Sequence, residues 1–240
     1  TLTPMAKALI AAAYGRGPDR SYIGGTSNGG RHTMVAAARY AADYDGFLAI
    51  SPGFNLPKAA LAQLYGAQQW APLASSTANL ETALPQNERR LVANAILAKC
   101  DALDGSADGL VQDVEGCRTA FDLARDVPTC SGARDGTCLT ADQKAAVARV
   151  YAGARNSAGT PLYSRFPYDP GIVQTGWADW KFRNSVGAAR DPVAVAFIFS
   201  SPPESSTVLS NTLAYALGFN FDTGAPKITA TSGIYTESAM

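Results

Sequence analysis

The sequence predicts an α/β fold interrupted by a helical, loop-rich insertion, and three observations carry that expectation. A strand, a helix and a second strand fit within thirty residues near the start of the chain. A Gly-x-Ser-x-Gly pattern sits at the first strand-to-helix junction. From about Asn55 onward the character changes and helical patterns dominate.

Each element has a local reason. Thr1 to Gly15 reads as an amphipathic helix, ended by Gly15-Arg16-Gly17-Pro18. Ser21-Tyr22-Ile23-Gly24-Gly25 is a short strand-like run, followed by a sharp turn over Thr26-Ser27-Asn28-Gly29-Gly30. Arg31 to Tyr40 are good helix formers, with Met34, Val35 and Ala38 on one face. Phe47-Leu48-Ala49-Ile50 is a fully apolar strand stopped by Ser51-Pro52-Gly53, and the whole reads as a parallel crossover unit. Beyond it, Pro57–Trp70 and Pro85–Cys100 are helical, with Pro85 suited to a first helical position. Thr140 and Gln143 make a capping-box pattern opening a helix that Gly153 ends. The stretch 159–180, rich in Gly, Pro, Tyr and Trp, reads as ordered loop. The expected division is a partial catalytic-fold core over 1–54, a lid domain over 55–225, and a return towards the core over 226–240.

Composition excludes several classes. The chain has 240 residues, 47% of them hydrophobic, enough for a sizeable core. Twenty basic residues balance twenty acidic ones, so no broad field draws nucleic acid or an anionic membrane. Apolar stretches such as Val193–Phe199 fall far short of the ~20 residues a membrane helix needs. Position 1 is not Met and the first residues do not resemble a signal peptide, so the chain reads as a mature product or a fragment. Its four cysteines, Cys100, Cys117, Cys130 and Cys138, contain no CxxC pair, which argues against a zinc knuckle. Two local disulfides fit better and imply an oxidising compartment, secreted or periplasmic. Three pairings exist, of which the sequential one closes the shortest loops.

Gly25-Thr26-Ser27-Asn28-Gly29 carries the chemistry. In the α/β-hydrolase fold a nucleophilic serine stands on a strained turn between strand and helix, so its neighbours two positions away are expected to lack side chains. Ser27 is the expected nucleophile, and the backbone N–H of Asn28 the expected oxyanion donor, helped by the positive start of the helix. A serine needs a base, usually His oriented by an acid. The only histidine, His32, lies five residues on, inside the helix that the turn opens, and reads as a structural residue. The acid and the catalytic His are therefore expected outside these residues, and the chain alone is expected to be inactive.

A second cluster lies at Cys100-Asp101-Ala102-Leu103-Asp104-Gly105-Ser106-Ala107-Asp108-Gly109-Leu110. Three carboxylates in eight residues repel one another unless a cation sits among them, and hard oxygen donors suit calcium. The EF-hand spacing and its terminal Glu are missing. Expected ligands are the side chains of Asp101, Asp104 and Asp108 with the carbonyls of Ser106 and Leu110.

These motifs resemble the tannase and feruloyl esterase family. The likeness rests on Ser21–Arg31 followed by Tyr44-Asp45-Gly46, on the pattern Cys100-Asp101-x-x-Asp104-Gly105-x-x-Asp108-Gly109, and on Asp222-Thr223-Gly224-Ala225-Pro226-Lys227. It covers essentially the whole chain. It implies Ser27 as nucleophile, a structural Ca2+ on the lid loop, and disulfides Cys100–Cys117 and Cys130–Cys138. Many members carry a Cys immediately before the serine, bridged to one beside the catalytic His; Thr26 stands there instead, so that bridge cannot form. The early strands and the late acid- and His-bearing segments are not visible, so the chain resembles the middle of a longer enzyme whose N- and C-terminal segments are its missing partners.

The implied function is hydrolysis of an aromatic, phenolic acid ester through an acyl-enzyme. Leu56, Trp177 and Trp180 are candidates for the apolar wall of the acid pocket. An acyltransferase of the same fold, or a non-catalytic calcium-stabilised binding module, are the alternatives.

Overall fold

The structure, a computed structural model, describes residues 2–235. The residues around Glu237-Ser238-Ala239-Met240 lie outside those described. The chain divides into two compact units, one reaching to Pro57 and resuming at Thr229, the other spanning Lys58–Ile228.

The first unit begins with α1 (Leu2–Tyr14) and continues through β1 (Tyr22–Thr26), α2 (Asn28–Arg39) and β2 (Gly46–Ile50). The strands pair in parallel, in a register that sets Tyr22 opposite Gly46 and Thr26 opposite Ile50. Asp45 fastens the entrance of this pair: its Oδ2 accepts from Ser21 N–H at 2.7 Å, and its own N–H donates to Ser21 O at 2.7 Å. These bonds to Ser21, with Arg20 and Lys7 nearby, hold the Asp45 carboxyl below the usual carboxylate range.

α2 starts three residues before the expected Arg31, because the sharp turn is itself the helix entrance. Its buried residues are Gly30, Thr33 and Ala36, while Met34 and Val35 are half-buried and Ala38 is exposed. The reason is distance. A Cβ on Gly30 would stand 2.8 Å from Ile50 O, so the helix approaches β2 more closely than a larger residue permits.

The second unit is helical: α3 (Leu56–Trp70, begun in the first unit), α4 (Gln86–Cys100), α5 (Val114–Ala120), α6 (Leu123–Asp126), α7 (Ala141–Tyr151), α8 (Thr175–Ala178), α9 (Asp191–Val193), α10 (Thr212–Gly218) and α11 (Phe221–Tyr235), whose last turns pass back into the first unit. Pro85 precedes α4 instead of occupying its first turn. The stretch read as loop up to Trp180 ends in helix: α8 runs straight into a π-helical turn, Asp179–Asn184. A second π turn, Ala194–Phe199, follows α9. Such wide turns are often found at functional sites.

Trp70, Leu80, Leu84, Val92, Ile96, Leu139, Val147 and Ile172 form the centre of this unit's core. A polar network crosses it. The buried Glu88 carboxylate accepts from Arg134 Nε at 2.5 Å and Nη2 at 2.6 Å, and from Gln143 Nε2 at 2.6 Å. One carboxylate thereby ties α4, the loop before α7, and α7 itself. The capping box at Thr140 forms, with Gln143 N–H donating to Thr140 Oγ1 at 3.1 Å and the reciprocal bond at 2.9 Å. Cys100 is bonded to Cys117 and Cys130 to Cys138, the pairing the resemblance implies.

Candidate active site

Ser27 stands between β1 and α2 with φ 56° and ψ −116°, a conformation that L-residues avoid. Backbone strain of this kind costs on the order of 1–3 kcal/mol and persists only where neighbours enforce it. The enforcing bonds are present. Ser27 N–H donates to Ile50 O at 3.0 Å, and Ser27 O accepts from Arg31 N–H at 3.0 Å and Gly53 N–H at 3.1 Å. The turn is therefore pinned from the neighbouring strand, from its own helix, and from the segment after β2. The hydroxyl caps no helix N–H, and the residue is exposed.

Of the two glycines expected to be obligatory, the structure requires one. A Cβ on Gly25 would stand 2.5 Å from the backbone carbon of Gly29, whereas a Cβ on Gly29 meets nothing within 4 Å. The second requirement falls on Gly30 instead. Two further residues were not foreseen: Ser51 and Asn55 also have positive φ, 41° and 46°. With Pro52 and Gly53 they fold the chain back so that the Gly53 N–H reaches Ser27 O. The Ser51-Pro52-Gly53 run signalled a stop, but its service to the elbow is a long-range contact that no local pattern announces.

Asn28 is the first residue of α2, so its N–H has no acceptor within the helix. Its side-chain Oδ1 accepts from Arg31 Nε at 2.9 Å. His32 is exposed, and its Nε2 lies 2.8 Å from Arg31 Nη2. A guanidinium only donates, so that imidazole nitrogen accepts, and the lone pair a base would use is committed. Five residues of helix also turn His32 roughly 140° around the axis from Ser27.

In the loop after α4 the three carboxylates face backbone N–H groups. Asp101 Oδ1 accepts from Asp108 at 3.1 Å and Gly109 at 2.8 Å; Asp104 accepts from Ser106 at 3.0 Å and Gln112 at 3.2 Å; Asp108 Oδ1 accepts from Leu110 at 3.1 Å. Among the described residues no three acidic, His or Cys side chains are gathered as a ready-made metal cluster. The donor set nevertheless fits a hard cation. It is all oxygen, and a carboxylate oxygen that accepts one N–H keeps a further lone pair.

The candidate wall residues separate. Trp177 is half-buried and packs edge-to-face on Phe182, 5.6 Å between centroids, against the second unit's core. Trp180, on the π turn, is 42% exposed, with the Arg190 guanidinium 5.0 Å from its ring centroid. Leu56 is half-buried at the start of α3.

Residues 1–217 match the family model described as tannase and feruloyl esterase. The chain belongs to the tannase and feruloyl esterase family. It is 35% identical, over 266 aligned residues, to the mono(2-hydroxyethyl) terephthalate hydrolase of Piscinibacter sakaiensis, covering 100% of this chain and 44% of that protein. The chain thus spans less than half the length of this curated relative. Feruloyl esterase B from Aspergillus oryzae has a similar fold, with a TM-score of 0.72 at 21% identity over 98% of this chain and 43% of that one. Tannin acyl hydrolase from Aspergillus niger is similar too, with a TM-score of 0.62 at 20% identity over 97% and 42%. These solved relatives are α/β-hydrolases, and two parallel strands with an elbow between them are consistent with part of that fold. Among the described residues no helix is long and apolar enough to cross a membrane.

Proposed function

We propose that this chain carries the nucleophile of a serine carboxylic-ester hydrolase acting on esters of aromatic acids. The observation that carries the reading is the enforced left-handed backbone of exposed Ser27 between β1 and α2. A serine in an ordinary Gly-rich turn has no need of that strain. Ser27 Oγ attacks the ester carbonyl carbon while a base takes its proton. The carbonyl oxygen becomes an oxyanion facing the Asn28 N–H. The bond to the alcohol oxygen breaks, the alcohol leaves with the proton, and water then cleaves the acyl-enzyme. His32, paired to Arg31, is not that base. The aromatic substrate class is supported by the names of the relatives, a terephthalate monoester hydrolase and feruloyl esterases. Trp180 is the best-exposed of the three candidate wall residues, ahead of Leu56 and Trp177.

Asp101, Asp104 and Asp108, with the carbonyls of Ser106 and Leu110, would hold a calcium ion whose contribution is structural. The ion would neutralise the crowded carboxylates beside the Cys100–Cys117 bridge. Two disulfides support a secreted or periplasmic location.

The test is a fluorophosphonate label on the full-length enzyme followed by peptide mapping, with the adduct expected on Ser27. Ser27→Ala should lower turnover by roughly 10⁶, as for a comparable triad serine. A variant keeping more than about a tenth of the activity sinks the assignment.

A further inference from the structure

The second unit holds a cavity of about 170 Å3. Val150, Tyr151, Phe166, Ile172, Trp177 and Lys181 line it. Its walls are mostly apolar, with three aromatic rings among them, and its size matters. An apolar cavity of roughly 150 Å3 accepts a benzene ring. What distinguishes this one is the cation at its wall. Lys181 is only 8% exposed. Its Nζ donates to Gln63 Oε1 at 3.2 Å and lies 4.2 Å from the centroid of Phe166, itself a cavity wall.

An ammonium has three N–H donors, and one neutral amide and one ring face leave this one under-satisfied. Lys181 forms no ion pair among the described residues; the buried Asp191 influences it from beyond ion-pair distance. Burial accordingly pulls the lysine down to about 8. A buried cation with no carboxylate at ion-pair distance is costly and is normally paired. Asp169 also borders the cavity, which disfavours a ligand with two negative charges.

We propose that this cavity is a binding site for a small aromatic monocarboxylate, its ring held among Phe166, Tyr151 and Trp177 and its carboxylate on the Lys181 ammonium. The ligand satisfies the two deficits together, apolar volume and unpaired charge. All of its lining residues belong to the second unit, and of the candidate ester-pocket walls only Trp177 is among them.

The probe is benzoate, with benzyl alcohol as a neutral ligand of similar shape, added to the full-length enzyme and followed by calorimetry and ligand-observed NMR. Benzoate is expected to bind, and Lys181→Met to weaken it at least about tenfold while changing benzyl alcohol binding less than about twofold. Val150→Phe, which fills the cavity, is expected to abolish both. If Lys181→Met does not fold, Val150→Phe and Ile172→Phe carry the decision. The proposal is overturned if benzoate does not bind at about 10 mM, or binds Lys181→Met as tightly as the wild type. It is equally overturned if binding survives Val150→Phe, or if, in the full-length enzyme, it is lost when Ser27 is blocked by a fluorophosphonate. The last result would assign benzoate to the ester site.

Discussion

A Cβ at Gly25 would press on the Gly29 backbone, and one at Gly30 on Ile50 O, both inside 3 Å. Neither contact is with a flexible side chain, so the backbone itself must shift. Gly25→Ala and Gly30→Ala should each destabilise the first unit by about 1–3 kcal/mol in urea unfolding. Gly29→Ala should be neutral or stabilising by up to about 1 kcal/mol, since it meets open space in a helix. Equal loss at all three positions would show that the elbow is not packed as described. Asp191 poses a different problem at the same scale. Burial raises its carboxyl from 3.8 to about 7, opposed by Lys181 and Arg190. Its Oδ2 has no hydrogen-bond partner. A folded-state value above the unfolded one means full stability below about pH 4, lost as pH rises towards 7. Asp191→Asn should therefore gain melting temperature relative to wild type between pH 5 and pH 8. A difference that is constant across that range would refute the burial of a titrating carboxyl there.

Among the elements, the loop after α4 shows how a covalent bond and a set of turns divide the work. The Cys100–Cys117 bridge closes a separation of 17 residues around the three aspartates. In the chain-entropy model such a bridge contributes about 3 kcal/mol, mainly by restricting the unfolded chain. Replacing both cysteines by Ser should lower the stability of the second unit by that order. Inside the bridge, Asp101, Asp104 and Asp108 each accept from backbone N–H groups, so the loop already curls around these side chains. Chelation should lower the melting temperature of the calcium-loaded protein and leave Ser27 labelling at low temperature nearly unchanged. Abolition of labelling by chelator in the cold would give the ion a catalytic part that its distance in sequence from Ser27 does not suggest.

The whole molecule distributes its apolar surface unevenly. The second unit buries Trp70, Leu84, Ile96, Val147 and Ile172 almost completely. The first leaves Leu2 82%, Leu9 71%, Tyr14 80%, Tyr22 72% and Leu48 62% exposed. Area removed from water stabilises at about 25 cal/mol per Å2, so the first unit gains much less from its own packing. Local opening free energies follow such differences. Amide exchange of this chain should therefore protect α4 and α7 by at least about tenfold more than β1 and β2. Comparable protection would show that the parallel pair is better supported than its exposure indicates.

The sequence by itself determined the parts whose causes are local. Gly25-Thr26-Ser27-Asn28-Gly29 between a strand and a helix specifies the elbow. Thr140 and Gln143 specify a cap, and the two short cysteine spacings are compatible with the observed bridges. The buried face of α2 was not legible, because Met34 and Val35 are the apolar residues and only the close approach of Ile50 makes Gly30 and Ala36 the inner ones. Helix α8 was hidden in a Gly- and Trp-rich run, since tertiary packing of Ala178 and Phe182 overrides weak propensity there. The strain at Ser51 and Asn55, the cross-linking by Glu88, and the lone ammonium of Lys181 at an aromatic cavity were decided only by tertiary structure. Each depends on atoms far apart in sequence, and what burial does to a charge is fixed by everything that surrounds it.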